Sequence, residues 1–127
     1  MPRGLRSERG QATLELALCM PVFALLMAML VEAGGLATDH VRLWHIAREA
    51  ARVAVVDPDE AEARAAAARV GLDDVDLDID PGVDARVRGE PLTVTASYSP
   101  NGRVPLIGEL FRSLTLRATA TMRIERP

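Results

Sequence analysis

Several residue types are scarce or missing in this chain. It has one cysteine, Cys19, so no disulfide can form within a single chain. Lysine is absent, aromatic residues make up 3% of the sequence, and the formal net charge is -3 at pH 7. The core must therefore consist mainly of alanine, valine, leucine and isoleucine. Because binding to a phosphate backbone needs an excess of basic charge, we expect no nucleic-acid partner.

Motifs for catalysis and cofactor binding are missing as well. The sequence has no glycine-rich phosphate loop, no nucleophile elbow and no Cys–His couple. His40 and His45 are five residues apart, whereas zinc-binding histidine pairs on a helix are usually four apart. We therefore expect a protein that is not an enzyme and that has neither a cofactor nor a small-molecule substrate.

Aspartates alternate with apolar residues over residues 73–84, which raises the question of a calcium site. Counted from Asp76, an EF-hand loop would need glycine at its sixth position and glutamate at its twelfth. Pro81 and Val87 occupy those positions. The acids are therefore interpreted as the solvent-exposed face of a strand, with no metal expected, and a weak divalent-ion site is the alternative.

The chain does contain a long apolar run, residues 16–31, without a single charge. With its flanks it predicts a transmembrane helix over 11–37, since roughly 20 apolar residues span a bilayer. Pro21 lies inside this span and is expected to kink the helix. Residues 1–10 carry a net charge of +2, which predicts a cytoplasmic N-terminus and an extracytoplasmic remainder.

Residues 38–127 are predicted to form one α+β domain outside the membrane. The spacing of apolar residues predicts an amphipathic helix at about 39–56 that continues the membrane helix, with a flexible joint at the Gly34-Gly35 pair. A second, alanine-rich helix is predicted at about 59–70, capped by Asp57 or Asp59. The inward face of the first helix is expected to contain Leu36, His40, Leu43, Ala47, Ala50 and Ala54, with Trp44, Ala51 and Val55 beside it.

The rest of the domain alternates with a period of two, which is typical of half-buried strands. Strands are predicted at about 74–80, 92–98 and 114–124, with a further short run at 85–87. They would form a small antiparallel sheet of three to four strands with the helices on one face. Val75, Leu77 and Ile79 should face the core.

The start of the apolar segment has an ordered motif. Gly10 ends a short basic leader, and Glu15 follows as the fifth residue after it. This arrangement resembles the processing site of type IV prepilins, and the longer segment resembles the TadE-like minor pseudopilins of the Tad/Flp pilus assembly system. The positions that match are Arg9-Gly10, Ala12, Glu15, Ala17-Leu18, Pro21 and Glu32-Ala33-Gly34.

The resemblance implies a specific maturation and a specific set of partners. A prepilin peptidase would remove the leader, residues 1–10, by cutting between Gly10 and Gln11. Glu15 would then pair with the N-terminal amine of a neighbouring subunit during assembly. The implied partners are this peptidase, other pilin-like subunits, pilus assembly proteins and the lipid bilayer. The implied location is the bacterial cytoplasmic membrane, as a single-pass protein, or the extracellular pilus.

Other interpretations stay open on the sequence alone. The small residues at 33–37 could form a signal-peptidase site, and cleavage near Ala37 would release a small binding module. The residues before Cys19 loosely resemble a lipobox, although Leu18 stands where a small residue is expected. Glu15 could also be an interfacial acid that reaches back to water rather than an assembly contact.

Overall fold

The computed structural model describes the backbone of residues 5–126 and the side chains of residues 10–126. Residues 1–4 of the predicted leader and the side chains of its residues 5–9 therefore lie outside the description. The α+β fold predicted from the sequence is confirmed. In chain order the elements are helix α1 (Leu5–Ala54), helix α2 (Glu60–Ala68), strand β1 (Asp76–Asp80), a 3-10 turn (Val83–Ala85), strand β2 (Pro91–Tyr98), helix α3 (Ile107–Phe111) and strand β3 (Leu116–Arg123).

Helix α1 is one continuous helix of 50 residues, which corresponds to a length of about 75 Å. The membrane helix and the amphipathic helix predicted from the sequence are therefore two halves of the same element. The helix runs without interruption through the Gly34-Gly35 pair, so the joint predicted there is not a break in the helix. It also continues past Pro21, where a kink stays a prediction.

The upper half of α1, from Glu32 to Ala54, forms the centre of the domain core. One inward position of the prediction is wrong, because His40 is exposed, and Trp44, predicted beside that face, is 43% exposed. The Trp44 ring lies instead on the surface, 4.0 Å from the guanidinium carbon of Arg48. Helix α2 packs on α1 through small side chains, which allow a close approach. The buried positions of the two helices are Leu43, Ile46, Ala47, Ala50, Ala51, Ala54 and Val55 of α1, and Ala63, Ala66 and Ala67 of α2.

The sheet has three antiparallel strands in the order β1-β2-β3 and packs against α1 through β2 and β3. In its core-facing layer Leu77 pairs with Ala96, which pairs with Ala118. The opposite layer is polar and exposed: the hydroxyls of Thr93 and Thr121 lie 3.0 Å apart across it. This confirms the expected inward face of β1, since Leu77 is 5% exposed while Asp76, Asp78 and Asp80 are exposed.

Two strand starts differ from the prediction for local reasons. Strand β1 begins at Asp76 instead of residue 74, because Asp74 has a positive φ of 59° that cannot continue a strand. Strand β3 begins at Leu116 instead of residue 114, because the chain is still turning after α3, with the Leu114 N–H donating to the Phe111 carbonyl.

The run at 85–87 is not a fourth strand, because Arg86 turns into the domain. Its side chain is fully buried, and its Nη1 donates to the carbonyl of Ala54 at 3.2 Å. A cation at the last turn of α1 meets carbonyls that have no partner within the helix and the negative end of the helix dipole. Its Nη2 lies 3.6 Å from Glu60, so this arginine ties the end of α1 to the start of α2.

Candidate functional site

The predicted processing residues lie on the exposed lower half of α1. Gly10 is exposed, and a Cβ added there would meet no atom within 4 Å. A glycine inside a helix costs about 1 kcal/mol relative to alanine, so the fold itself does not favour glycine at this position. The next residue, Gln11, lies one helical turn before Glu15. Its side-chain amide donates to the Glu15 carboxylate at 3.3 Å, and both side chains are exposed. Glu15 is therefore accessible to a partner.

The apolar run surrounds the lower half of α1 on all sides. Within the described residues, Gly10–Ala54 is the one helix that is long and apolar enough to cross a membrane. Large apolar side chains from Leu14 to Val31 are all between 41% and 69% exposed. An apolar surface of this extent on a water-soluble monomer is unusual and marks a membrane or protein contact. Cys19 lies on the same exposed surface as a free thiol.

Glu32 closes the apolar run and is fully buried although it is charged. Its carboxylate accepts the backbone N–H of Arg103 at 3.0 and 3.2 Å and the backbone N–H of Val104 at 3.0 Å. Both N–H groups belong to the segment between β2 and β3, residues 99–115, which we call the docking loop. A buried carboxylate is tolerated only where such donors satisfy it, so Glu32 fixes the start of the docking loop on α1.

Seven residues further along α1, Asp39 binds the side chain of the same arginine. Asp39 is 1% exposed, and both of its carboxylate oxygens lie 2.8 Å from Nη2 of Arg103. The hydrogen bond to Asp39 raises the pKa of the Arg103 guanidinium above its ordinary value. Arg103 therefore stays charged at any physiological pH. Its backbone is held by Glu32 and its side chain by Asp39, so one residue is clamped at two levels of the helix.

Glycines make this contact sterically possible. A Cβ on Gly35 would lie 2.4 Å from Nη1 of Arg103, so the arginine can cross α1 only where the helix has no side chain. A Cβ on the neighbouring Gly34 would meet no atom within 4 Å. Inside the docking loop, a Cβ on Gly102 would lie 2.0 Å from the Cα of Gly108, so the two backbones touch directly. Gly102 and Gly108 are therefore required by the backbone contact, whereas a side chain at Gly35 would displace the guanidinium of Arg103.

The structure keeps the sequence-predicted residues apart from this clamp. Gly10, Gln11, Glu15 and Pro21 lie along the lower half of α1, and no docking-loop hydrogen bond involves them among the described residues. Sequence analysis had placed Glu32 only in a family pattern and gave Arg103 no role. The available signal was an acid directly after an uncharged run of 16 residues, which calls for a partner.

The acidic run of β1 does not converge on a point. Its aspartates alternate with core residues along an extended strand, so successive carboxylates are spread over the sheet surface. Within the part of the chain that the structure describes, no group of three or more His, Cys, Asp or Glu side chains is arranged to hold a metal ion.

Comparison with known proteins gives one match. The family model of the TadE-like protein matches residues 10–52, which begin at Gly10 and end near the last turn of α1. No curated protein and no solved structure matches the chain. The match covers the apolar helix, the Glu32 and Asp39 positions and Gly35, but not the sheet. Residues 10–52 are therefore similar to the TadE-like family, and this segment contains the helix that is long and apolar enough to cross a membrane.

Proposed function

We propose that this protein is a minor pseudopilin-like subunit of a Tad/Flp-type pilus or secretion apparatus, matured by a prepilin peptidase. It acts as a structural and assembly component and not as an enzyme. Its N-terminus is cytoplasmic, α1 crosses the membrane once, and the sheet domain is extracytoplasmic. The observation that carries the proposal is the TadE-like segment itself, in which Gly10, Glu15 and the apolar run occur in the order a prepilin-like subunit requires.

The surroundings of Gly10 support maturation at this site. Neither packing nor backbone conformation explains the glycine, because it is exposed, helical and free of neighbours within 4 Å of an added Cβ. A peptidase that cuts beside a bilayer and accepts only a small side chain does explain it. Cleavage there makes Gln11 the N-terminal residue, one helical turn from Glu15.

The Arg103 clamp supports a subunit whose anchor and domain move together. Glu32 and Asp39 tie the docking loop to the helix just above the apolar run, and the same helix forms the core of the domain. A force or displacement applied to the membrane helix is thereby transmitted to the sheet. This is what a filament or assembly subunit needs.

The clamp also argues against the alternative of a released binding module. Signal-peptidase cleavage near Ala37 would remove Glu32 and Gly35 from the mature protein. The Arg103 and Val104 N–H groups would lose their acceptor, and the docking loop would keep only its bond to Asp39. A protein designed for release at this position would not place a buried loop contact on the discarded side.

Substitution of Glu15 tests the assembly role. Glu15→Leu should insert into the membrane at least as well as the unchanged chain, because an acid in an apolar helix opposes insertion. Processing should largely survive, whereas crosslinking to pilin-like partner subunits, or piliation, should fall several-fold. Glu15→Gln keeps the shape and hydrogen bonding without the charge and should be intermediate. Leu16→Ile, at the neighbouring exposed position, is the matched control.

Normal crosslinking and piliation in both Glu15 variants would contradict the assembly role. Glu15 would then be an interfacial acid that reaches back to water. Loss of processing together with assembly would place the defect at the peptidase step instead of at the subunit contact.

A further inference from the structure

The docking loop presents the two most exposed large apolar side chains that the structure describes. Leu106 is 86% exposed and Leu110 is 74% exposed. Leu106 is also the centre of a γ-turn, in which the N–H of Ile107 donates to the carbonyl of Pro105 at 2.9 Å. Its φ of 71° and ψ of -46° belong to the strained form of this turn, which a side-chain-bearing residue rarely adopts. Strain of this kind points to a functional constraint.

The docking loop is attached to α1 at the edge of the apolar run. Glu32, the first residue after the run, holds the Arg103 and Val104 backbone. A helical side chain leans toward the N-terminus of its helix, so the Glu32 carboxylate and its donors lie on the membrane side of residue 32. The docking loop therefore starts at the level where the apolar run ends.

Ala28 differs in exposure from the rest of the apolar run. It is half-buried, whereas every other residue from 10 to 31, including Ala17 and Ala24, is exposed. Ala28 lies one turn before Glu32 on the same face of the helix, about 6 Å deeper in the apolar run. Helix α3 packs against α1, and Ile107 is buried beside the exposed Leu106. The half-burial of Ala28 and the packing of α3 on α1 are what a domain that reaches below Glu32 would produce.

We propose that the docking loop is a second membrane contact, in which Leu106 and Leu110 insert into the headgroup and upper acyl region of the outer leaflet. The exposed leucines follow closely in the chain on Arg103 and Val104, which are bound at the end of the apolar run. Glu109 of α3 and Arg112 directly after it form an exposed ion pair, which supplies the charged rim that such interfacial segments keep at headgroup level. The inference rests on the proposed function only in requiring that α1 spans the bilayer.

The proposal has a mechanical consequence. A single helix leaves a domain free to rotate about the membrane normal and to change its height. A second, lateral contact fixed to the first by the Glu32 and Asp39 bonds removes this freedom. The domain is then held in one orientation on the membrane before any neighbouring subunit binds.

Depth-dependent quenching of tryptophan fluorescence in liposomes tests this contact with the full chain. Trp44 is the only tryptophan, and Trp44→Phe provides a silent background. Single reporters are introduced as Leu106→Trp and Leu110→Trp, and the lipids carry bromine near the top of the acyl chains. Phe23→Trp, inside the apolar run, is the control for a position surrounded by lipid. Val56→Trp, exposed just beyond the C-terminal end of α1, is the control for a position in water.

Both loop reporters should be quenched several times more strongly than Val56→Trp and should emit at shorter wavelength than it does. The loop contact would be overturned if both loop reporters were quenched no more than Val56→Trp while Phe23→Trp was strongly quenched. The membrane span would then still stand. In that case disulfide crosslinking between copies that carry Leu106→Cys in a Cys19→Ala background would assign the leucines to another subunit. Absence of quenching at Phe23→Trp would overturn the span and the loop contact together.

A reporter that fails to fold is replaced by a spin label at the same position. Leu106→Cys in a Cys19→Ala background carries the label, and collisions with oxygen are compared with collisions with a water-soluble nickel complex. Greater accessibility to oxygen than to nickel supports the insertion, and the reverse order contradicts it.

Discussion

At the scale of single residues, the coupling of anchor to domain depends on two buried carboxylates and one arginine. Glu32 and Asp39 are both less than 2% exposed, and each is satisfied by Arg103 or its backbone neighbour. Removing the donor of a buried carboxylate is costly, because the carboxylate then stays buried without a partner. Residues that hold these groups in place should therefore be sensitive to change even where they are uncharged.

The neighbouring glycines Gly34 and Gly35 allow a matched test of this coupling. Gly34→Ala should stabilise the protein by about 0.5–1 kcal/mol, since alanine is the better helix former and the added Cβ meets nothing. Gly35→Ala should instead destabilise it by about 1–3 kcal/mol, because the Cβ displaces Arg103 and leaves Asp39 buried without its donor. Chemical denaturation of the full chain in detergent micelles gives both values, and equal effects would contradict the clamp.

The residue scale also shows where sequence reasoning stopped. The relation of Gly10 to Glu15 could be predicted because it is a local spacing on one helix. The partners of Glu32 could not, because Arg103 and Val104 lie 71 and 72 residues further along the chain. Arg86 was missed for the same reason, since its acceptor on Ala54 is 32 residues away. Local patterns state that a buried charge needs a partner but not which loop supplies it.

At the scale of elements, the sheet follows its sequence pattern closely. Alternation of apolar and polar residues gave the correct inward face of β1 and the antiparallel pairing of three strands. The strand ends were less predictable, because they depend on single backbone conformations such as the positive φ of Asp74. Helix α2 has the cap that the sequence offered, with the Ala61 N–H donating to the Asp59 carboxylate at 2.9 Å.

Two substitutions in β1 test the assignment of its faces. Leu77→Asp should lower the free energy of unfolding by at least about 3 kcal/mol, because it removes a buried leucine and places an unpaired charge opposite Ala96. Asp76→Ser, one residue earlier on the exposed face, should change it by less than about 0.5 kcal/mol. Thermal melts of the two variants that rank in the opposite order would show that the register is wrong.

At the scale of the whole molecule, one helix serves two environments. The lower half of α1 is apolar on every side and suited to lipid, and the upper half is buried in the domain core on one side. The order of helices and strands was predictable from the chain, because each has its own periodicity. The continuity of α1 was not settled by sequence, since the Gly34-Gly35 pair is compatible with a joint as well as with the close approach of Arg103.

The central claim is that this chain is a prepilin-like subunit matured at Gly10, and intact-mass analysis of the protein recovered from bacterial membranes tests it most directly. Co-expression with a prepilin peptidase should give a mature mass that lacks residues 1–10 and begins at Gln11. Gly10→Leu should insert normally, because the added side chain meets nothing in the fold, yet keep the full mass. A mature protein cut near Ala37, or a Gly10→Leu variant processed like the unchanged chain, would contradict the claim.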